Sequence, residues 1–160
     1  MHVQLLQAHS YCAMLASVPE IDDETLATWR AFLNAHAHVT RRISARLADG
    51  GLPDLAWYDL LWALYREPDH SLRVNELARA IVLSPPAMSR FVDRLVAAGC
   101  VRREPDPRDR RAQRVVLTDA GIDLLRRMWP VYAAGIDEHF AAHLGRSPQR
   151  IRATLERIAG

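Results

Sequence analysis

Arg108, Arg110, Arg111 and Arg114 fall within seven positions, with Asp106 and Asp109 among and beside them, in the stretch PDPRDRRAQRVVLTDAG at 105–121. Guanidinium groups crowded in this way suit phosphate oxygens and the negative potential of a narrow minor groove. A solvated surface run is the alternative for the stretch taken alone. The acids have a use in the first case: an Asp two residues before an Arg holds that side chain extended, so less rotamer entropy is lost on binding. Asp109 is expected to orient Arg111. The basic charge is local, since ten arginines face five acids between Ser71 and Arg114, a net +5 in a chain of formal net charge +2, which leaves −3 elsewhere. A basic module inside an otherwise acidic protein is the electrostatic footprint of a nucleic-acid partner. All its cations are Arg, whose forked donors fit phosphates and guanine edges.

The elements that must position these side chains are legible on either side. After Gly99, VRRE and RVVL read as two strands of a hairpin, with PDPRDRRAQ as its long tip. Upstream, SLR reads as a brief strand leading into VNELARAI, a two-turn helix with Val74, Leu77, Ala78 and Ile81 inward. VLS is a tight connection in which Ser84 suits an N-cap, and Pro85 a first helical position, where a missing N–H costs nothing. In the helix that follows, Met88, Phe91, Val92 and Leu95 share one side; Ser89, Arg90, Asp93 and Arg94 fall largely on the other, and Gly99 supplies the stop. Asp93 has a second reading, a structural pairing with a nearby arginine. Helix, turn, helix and hairpin in this order make a winged helix-turn-helix, whose wing tip approaches the DNA backbone and minor groove.

The flanking segments are helical. From Glu24 to Leu47, the residues Leu26, Trp29, Leu33, His36, Thr40, Ile43 and Leu47 recur at a 3-4-3-4 spacing, the stripe of a long amphipathic helix with two polar seam positions. GGLPD closes it and opens a second helix, from about Pro53 to Tyr65, that is apolar nearly all round and is expected in the middle of the core, until REPDH ends it. Thr118 caps a third long helix with Asp119 in its first turn, where the helix dipole favours an acid. Ile122, Leu125, Trp129, Tyr132, Ile136, Phe140 and Leu144 form its stripe, and Pro130 is expected to kink it. SPQRIRATLERI restarts with Ser147 as cap and Pro148 first. A monomer would leave these terminal stripes exposed, so a dimer is the economical reading. The expected fold is mainly α: a winged helix-turn-helix lobe over 67–117 with a small β-hairpin wing, and a helical dimerisation region over 1–66 and 118–160. HVQLLQAHSYCAMLASV, near the start, reads either as an extra helix on the dimer or as partly disordered.

Other classes find little support. At 160 residues and 49% hydrophobic content the chain suits one globular domain. Two cysteines, Cys12 and Cys100, build no disulfide framework and no CxxC site, which fits a reducing cytoplasm. The first twenty residues hold no Lys or Arg, and no apolar run approaches a membrane span, so neither a secretory signal nor an anchor is expected. There is no nucleophile motif and no phosphate loop, so no enzyme, cofactor or metal is expected. His139 and His143, spaced i,i+4 in HFAAH, read as two surface histidines or as two imidazoles facing one metal. Cys100 reads as core.

From recognition helix to the following helix, SPPAMSRFVDRLVAAGCVRREPDPRDRRAQRVVLTDAG resembles the signature of the multiple-antibiotic-resistance regulator (MarR) family of bacterial transcription factors, most specifically in DPRDRR and VLTDAG. WRAFLNAHAHVTRRI and YDLLWALYREPDHSLRVNELA resemble the family's first helices, so the resemblance covers roughly 24–144. It implies a homodimer with interleaved terminal helices, recognition helices in successive major grooves of a near-palindromic DNA operator, and wings in the flanking minor grooves. Ser89 and Arg90 match base-reading positions, Ser84 and Arg94 suit phosphate contacts, Arg111 matches the wing arginine and Asp109 its partner, with Arg108 and Arg110 beside them. Pro85 and Pro86 depart from the usual start of the recognition helix. The family's ligand site lies between the dimerisation helices and the DNA-binding lobe, where a small phenolic or aromatic acid would act as effector. Trp29, His36, Thr40, Tyr58, Trp62 and Tyr65 are the candidates for it; His36 also reads as a satisfied core histidine. Cys12 is similar in kind to the sensing cysteine of peroxide-responsive members, or is an ordinary buried thiol. The function implied is a ligand-responsive repressor. The rivals are a redox- or metal-responsive member and a winged-helix protein-interaction module, though the latter commonly lacks exposed cations on its recognition helix.

Overall fold

In a computed structural model of the protein, residues 20–81, 85–107, 109–145 and 147–159 are described. Six α-helices and a three-stranded sheet follow one another as α1 (Asp23–Asp49), α2 (Leu55–Tyr65), β1 (Ser71–Arg73), α3 (Val74–Ala80), α4 (Pro85–Ala97), β2 (Val101–Asp106), β3 (Asp109–Leu117), α5 (Asp119–His139), a 3-10 turn (Ala141–His143) and α6 (Pro148–Ala159). The chain divides into two units, residues 1–37 and 38–160. In the first, Asp22 accepts from the Thr25 backbone N–H at 2.8 Å and its hydroxyl at 2.6 Å, which anchors the start of α1 and lowers the Asp22 pKa. Trp29 stacks on Phe32, and both stay exposed.

The second unit holds the core. α1 stops where the paired glycines predict: Gly51 takes φ +66°, and the Leu52 N–H reaches back to the Leu47 carbonyl at 2.9 Å. Ile43 and Leu47 from this end of α1 join Leu60, Leu61 and Leu64 of α2, Leu77 of α3, Met88, Val92 and Leu95 of α4, Val101 and Val115 of the sheet, and Leu124 and Met128 of α5. The inward sets read from α3 and α4 hold, with Leu77, Met88, Phe91, Val92 and Leu95 all buried. Gly99 adopts φ +71° and lets the Cys100 N–H close on the Leu95 carbonyl at 3.0 Å, which ends α4 and turns the chain into β2. Cys100 is buried, and that burial pushes its thiol pKa up.

Three expectations need correction. α2 begins at Leu55 with Asp54 at its N-cap, so Pro53 lies before the helix rather than in its first turn. Nor is α2 buried all round: Tyr58, Leu60, Leu61 and Leu64 face the core, but Trp62 and Tyr65 keep 43% and 41% of their surface. The long tip is not a loop. The strands pair as far as Asp106 and Asp109, with β3 central in the order β1-β3-β2. The register jumps from Pro105 opposite Gln113 to Asp106 opposite Asp109, which leaves Arg110, Arg111 and Ala112 of β3 without opposite numbers in β2. Such bulges bend a strand and re-aim its side chains.

The last long helix runs through Pro130 but stops at His139, short of Leu144, because Phe140 leaves helical geometry at φ −130°, ψ −59°. Its start is fixed firmly. The Thr118 hydroxyl accepts from the Gly121 N–H at 3.2 Å and donates to the Gly99 carbonyl at 2.7 Å. Gly121 packs on the Cys100 carbonyl so closely that a Cβ there would overlap that oxygen and come within 2.7 Å of Leu117 Cδ1. Gly121→Ala is therefore expected to cost about 2–3 kcal/mol, by overpacking against backbone that cannot yield. Thermal melting checks this: a fall of about 5–10 °C is expected, and an unchanged melting temperature would mean that the helix start can slide off the strand.

Candidate functional site

The winged lobe is laced by arginine–acid pairs. Asp106, buried at the end of β2, accepts from Arg73 Nε of β1 at 2.6 Å and from the Asp109 backbone N–H at 3.2 Å, so one carboxylate ties the outer strand to the wing turn. The same carboxylate raises the Arg73 pKa above its ordinary value. Arg114 donates to Asp69 at 2.7 Å and to the Ser71 carbonyl at 3.1 Å, and Arg102 donates to Glu104 at 2.7 Å. Ser71 and Arg114 lower the Asp69 pKa through hydrogen bonds and charge, against a desolvation effect in the other direction.

Arg103 makes the most contacts and joins recognition helix to wing. Its Nη2 donates to Asp93 Oδ1 at 2.7 Å, the Ser89 carbonyl at 3.2 Å and Ser89 Oγ at 3.4 Å, while Nη1 reaches Gln113 Oε1 at 3.4 Å. Asp93 thus takes its structural reading. Ser89, expected on the contact face, is half-buried with its hydroxyl toward Arg103. Arg90 and Arg94 are exposed, as their helical positions require. Arg94 lies 4.9 Å over the Phe91 ring, which meets Trp57 of α2 edge-on at 6.5 Å, so a cation outside and a core aromatic inside brace α4. Among the described residues Arg90 has no hydrogen bond or ion pair. Asp109 is exposed. Ser84 and Arg108, and the side chains of Arg110 and Arg111, lie outside the described residues, as does Cys12. The sequence reading missed the roles of Arg73, Arg103, Arg114 and Asp106: it gave Asp93 a structural arginine partner without naming it and gave Arg73 and Arg114 no partner at all. The signal lay in the acids: Asp93 on α4, Asp106 on β2 and Asp69 in the turn before β1 each face an arginine.

A second feature is an aromatic groove of about 560 Å³ between α2 and α5, walled by Tyr58, Asp59, Trp62, Tyr65, Trp129 and Tyr132, with Ile122, Leu125, Ile136 and Arg126 completing it. Tyr58 stacks on Trp62 and on Trp129, each centroid 6.2 Å away, and Tyr132 meets it edge-on at 4.8 Å. The row continues from Trp62 to Tyr65 at 5.6 Å and on to His70 at 5.1 Å. Burial raises the Tyr58 and Tyr132 pKa values, and desolvation among these groups raises that of Asp59, although the residue keeps contact with solvent. Of the expected effector residues the groove gathers Tyr58, Trp62 and Tyr65. Thr40, half-buried on α1, is not among its lining, and Trp29 and His36 belong to the first unit and are exposed. The α5 rings, seen in the sequence only as a stripe, supply the other wall.

His139 and His143 do not share a helical face, because the helix breaks between them; His139 lies 3.8 Å from Glu138 and meets His38 edge-on. Among the described residues no group of three or more His, Cys, Asp or Glu could hold a metal ion, and no helix is long and apolar enough to cross a membrane.

Two short helices followed by a paired hairpin, with the second helix exposing cations beside the wing, define a winged helix-turn-helix. The MarR family model matches residues 51–112, and no match is found among curated proteins. AbsC, a MarR family transcriptional regulator from Streptomyces coelicolor, is 27% identical with a TM-score of 0.80, over 89% of this chain and 96% of that one. Sco3205, a MarR family regulator from the same organism solved in complex with DNA, is 30% identical with a TM-score of 0.79, over 89% of each chain. BpsR of Bordetella bronchiseptica, whose DNA binding is regulated by 6-hydroxynicotinic acid, shares the fold at 19% identity and a TM-score of 0.72, over 84% of this chain and 99% of that one. This chain belongs to the MarR family of DNA-binding transcriptional regulators.

Arg103 and Asp93 are expected to couple by about 0.5–1 kcal/mol in a double-mutant cycle, a value held down because Asp93 is 65% exposed and water screens the pair. Urea unfolding of Arg103→Met, Asp93→Asn and the double variant measures it. Strict additivity would show that the contact fixes no more than a side-chain pose.

Proposed function

We propose that this protein is a ligand-responsive repressor that binds a near-palindromic operator as a homodimer and loses DNA affinity when the aromatic groove is filled. The observation that carries the DNA half is the division of labour among the arginines. Arg73, Arg102, Arg103 and Arg114 are engaged with acids of their own lobe, while Arg90 and Arg94 stand exposed on the outer face of α4. A protein-interaction module needs no such residual cations at this position. Sco3205, solved with DNA, supports the same reading.

In this reading Arg90, with Ser89 behind it, reads base edges in the major groove, Ser84 and Arg94 hold phosphates, and Arg108, Arg110 and Arg111 enter the minor groove from the wing with Asp109 orienting Arg111. The ladder irregularity at 110–112 suits a segment that must turn its side chains away from the sheet. Residues 67–117 form the DNA-binding lobe, with 1–66 and 118–160 the dimerisation region. Exposed apolar side chains support the dimer: Trp29, Phe32 and Leu33 on α1, and Ile151 and Ile158 on α6, a helix in which no residue is buried. The groove takes the effector role because it lies between α2, which touches α4 through Trp57 and Phe91, and α5. Regulation of BpsR by a small aromatic molecule is a precedent for that kind of control. A DNA-binding regulator of this design is not an enzyme and works in the cytoplasm, where its DNA is.

Fluorescence anisotropy on the DNA upstream of its own gene and on a scrambled duplex, across a salt series, tests the proposal. The upstream fragment is expected to bind about 10³-fold tighter, with a steep salt slope. Arg111→Glu is expected to abolish specific binding and leave the dimer intact by sedimentation, and Arg90→Ala to cost about 1–3 kcal/mol. Equal, weak binding of both duplexes, or an Arg111→Glu protein that binds normally, would reject the operator and wing assignments.

A further inference from the structure

The charge balance of the aromatic groove says which ligands it can hold. Two ionisable side chains other than tyrosine line it, Asp59 and Arg126. Arg126 pairs with Asp123, Nη1 to Oδ1 at 2.9 Å, on the exposed rim, where water screens its charge. Asp59, exposed at the groove's edge, has no hydrogen bond or ion pair with any other described residue, so its carboxylate is open to a cation that enters the groove. The remaining walls are rings. Trp62 and Trp129 each stack on the buried Tyr58 in nearly parallel planes, at 14° and 21°, and both remain about half exposed, so each offers ring surface to a ligand. Ring faces carry partial negative charge, which adds to that of Asp59. An aromatic carboxylate entering here would meet like charge from both sources. A flat cation would be attracted by both, and would relieve the desolvation that disfavours the ionised Asp59.

We propose that the groove binds a flat organic cation, such as an N-alkylated heteroaromatic ion, with Asp59 as its counter-ion and the solvent-facing surfaces of Trp62 and Trp129 as its aromatic walls. This specifies the ligand class of the effector site proposed above and rests on that reading. It also replaces the aromatic acid that the family resemblance implies. A volume of about 560 Å³ open to solvent suits two fused rings.

Calorimetric titration of the full chain, without DNA, tests the proposal with three probes of similar size: 1-methylquinolinium, 2-naphthoate and neutral 2-naphthol. The cation is expected to bind at least about tenfold tighter than either of the others, and Asp59→Asn to weaken it about tenfold while leaving 2-naphthol unchanged. Asp59→Asn is near-isosteric at an exposed helix position, and circular dichroism verifies its fold. The wild-type probe series stands without the variant. Equal or tighter binding of 2-naphthoate or 2-naphthol, no effect of Asp59→Asn on the cation, or no binding of any probe would each overturn the proposal. Because no DNA is present, failure here is separate from failure of operator binding, which the anisotropy series reads alone.

Discussion

The end of strand β3 is the point on which the lobe depends. Leu117 N–H is held by the His70 carbonyl at 2.9 Å and Thr118 N–H by the Cys100 carbonyl at 3.1 Å, while the Thr118 hydroxyl caps α5 and grips Gly99. Within two residues the chain is thus fastened to the segment before β1, to the end of α4 and to the start of α5. Each bond satisfies a backbone group that burial would otherwise leave unpaired. Gly121 makes the approach possible, since any side chain there would strike the Cys100 carbonyl. His70 contributes by adopting φ +51°, a left-handed geometry uncommon for a residue with a Cβ, which turns its carbonyl toward Leu117. The hairpin is therefore a stiff lever set on the helix junction, and α4 and α5 share its fulcrum.

Electrostatics inside the lobe set what remains for a partner. A count of charges makes 71–114 strongly basic, but four of its arginines spend their donors on Asp69, Asp93, Glu104 and Asp106. These pairs differ in worth. Asp106 is nine-tenths buried and would be costly to leave without Arg73, whereas the exposed Arg102 and Glu104 pair is screened and contributes little. The wing is thereby tied to β1 and to α4 by charges of the lobe itself, and Arg90 and Arg94 on α4 make no ion pair among the described residues.

Helix and strand types were legible in the sequence because periodicity, caps and glycine stops agreed. Thr118, Gly51 and Gly99 are examples in which one residue type has one physical use. The wing was legible as a hairpin but not in extent. PDPRDRRAQ carries two prolines, few β-formers and many charges, so local propensity argues for a loop, and pairing with Arg114, Gln113 and Asp109 across the strand overrides it. The groove was half legible. Its α2 rings were visible as aromatics on an apolar helix, but Trp129 and Tyr132 read as an ordinary stripe, because only the packing of α5 on α2 turns their faces toward Tyr58. His36 and Thr40 were chosen for polarity on a seam, which marks a position as unusual without saying what lies opposite.

The groove and the DNA-binding face are joined by contacts at both ends of α2. At one, Trp57 meets Phe91, the ring over which Arg94 lies. At the other, Tyr65 stacks on His70, whose carbonyl holds Leu117 at the base of the wing. In the proposed effector role, a ligand held against Trp62 and Trp129 would act on a helix that touches recognition helix and wing alike. Contact is not yet control, since a ligand shifts an equilibrium only by its difference in affinity for the two states. The difference has a physical source here. A guest that touched Trp62 of α2 and Trp129 of α5 would constrain the separation of the two helices, and closely packed interiors adopt discrete arrangements rather than yielding continuously. In the proposed effector role, a ligand that favoured one spacing of α2 and α5 would thus be felt at Phe91 and Leu117 together.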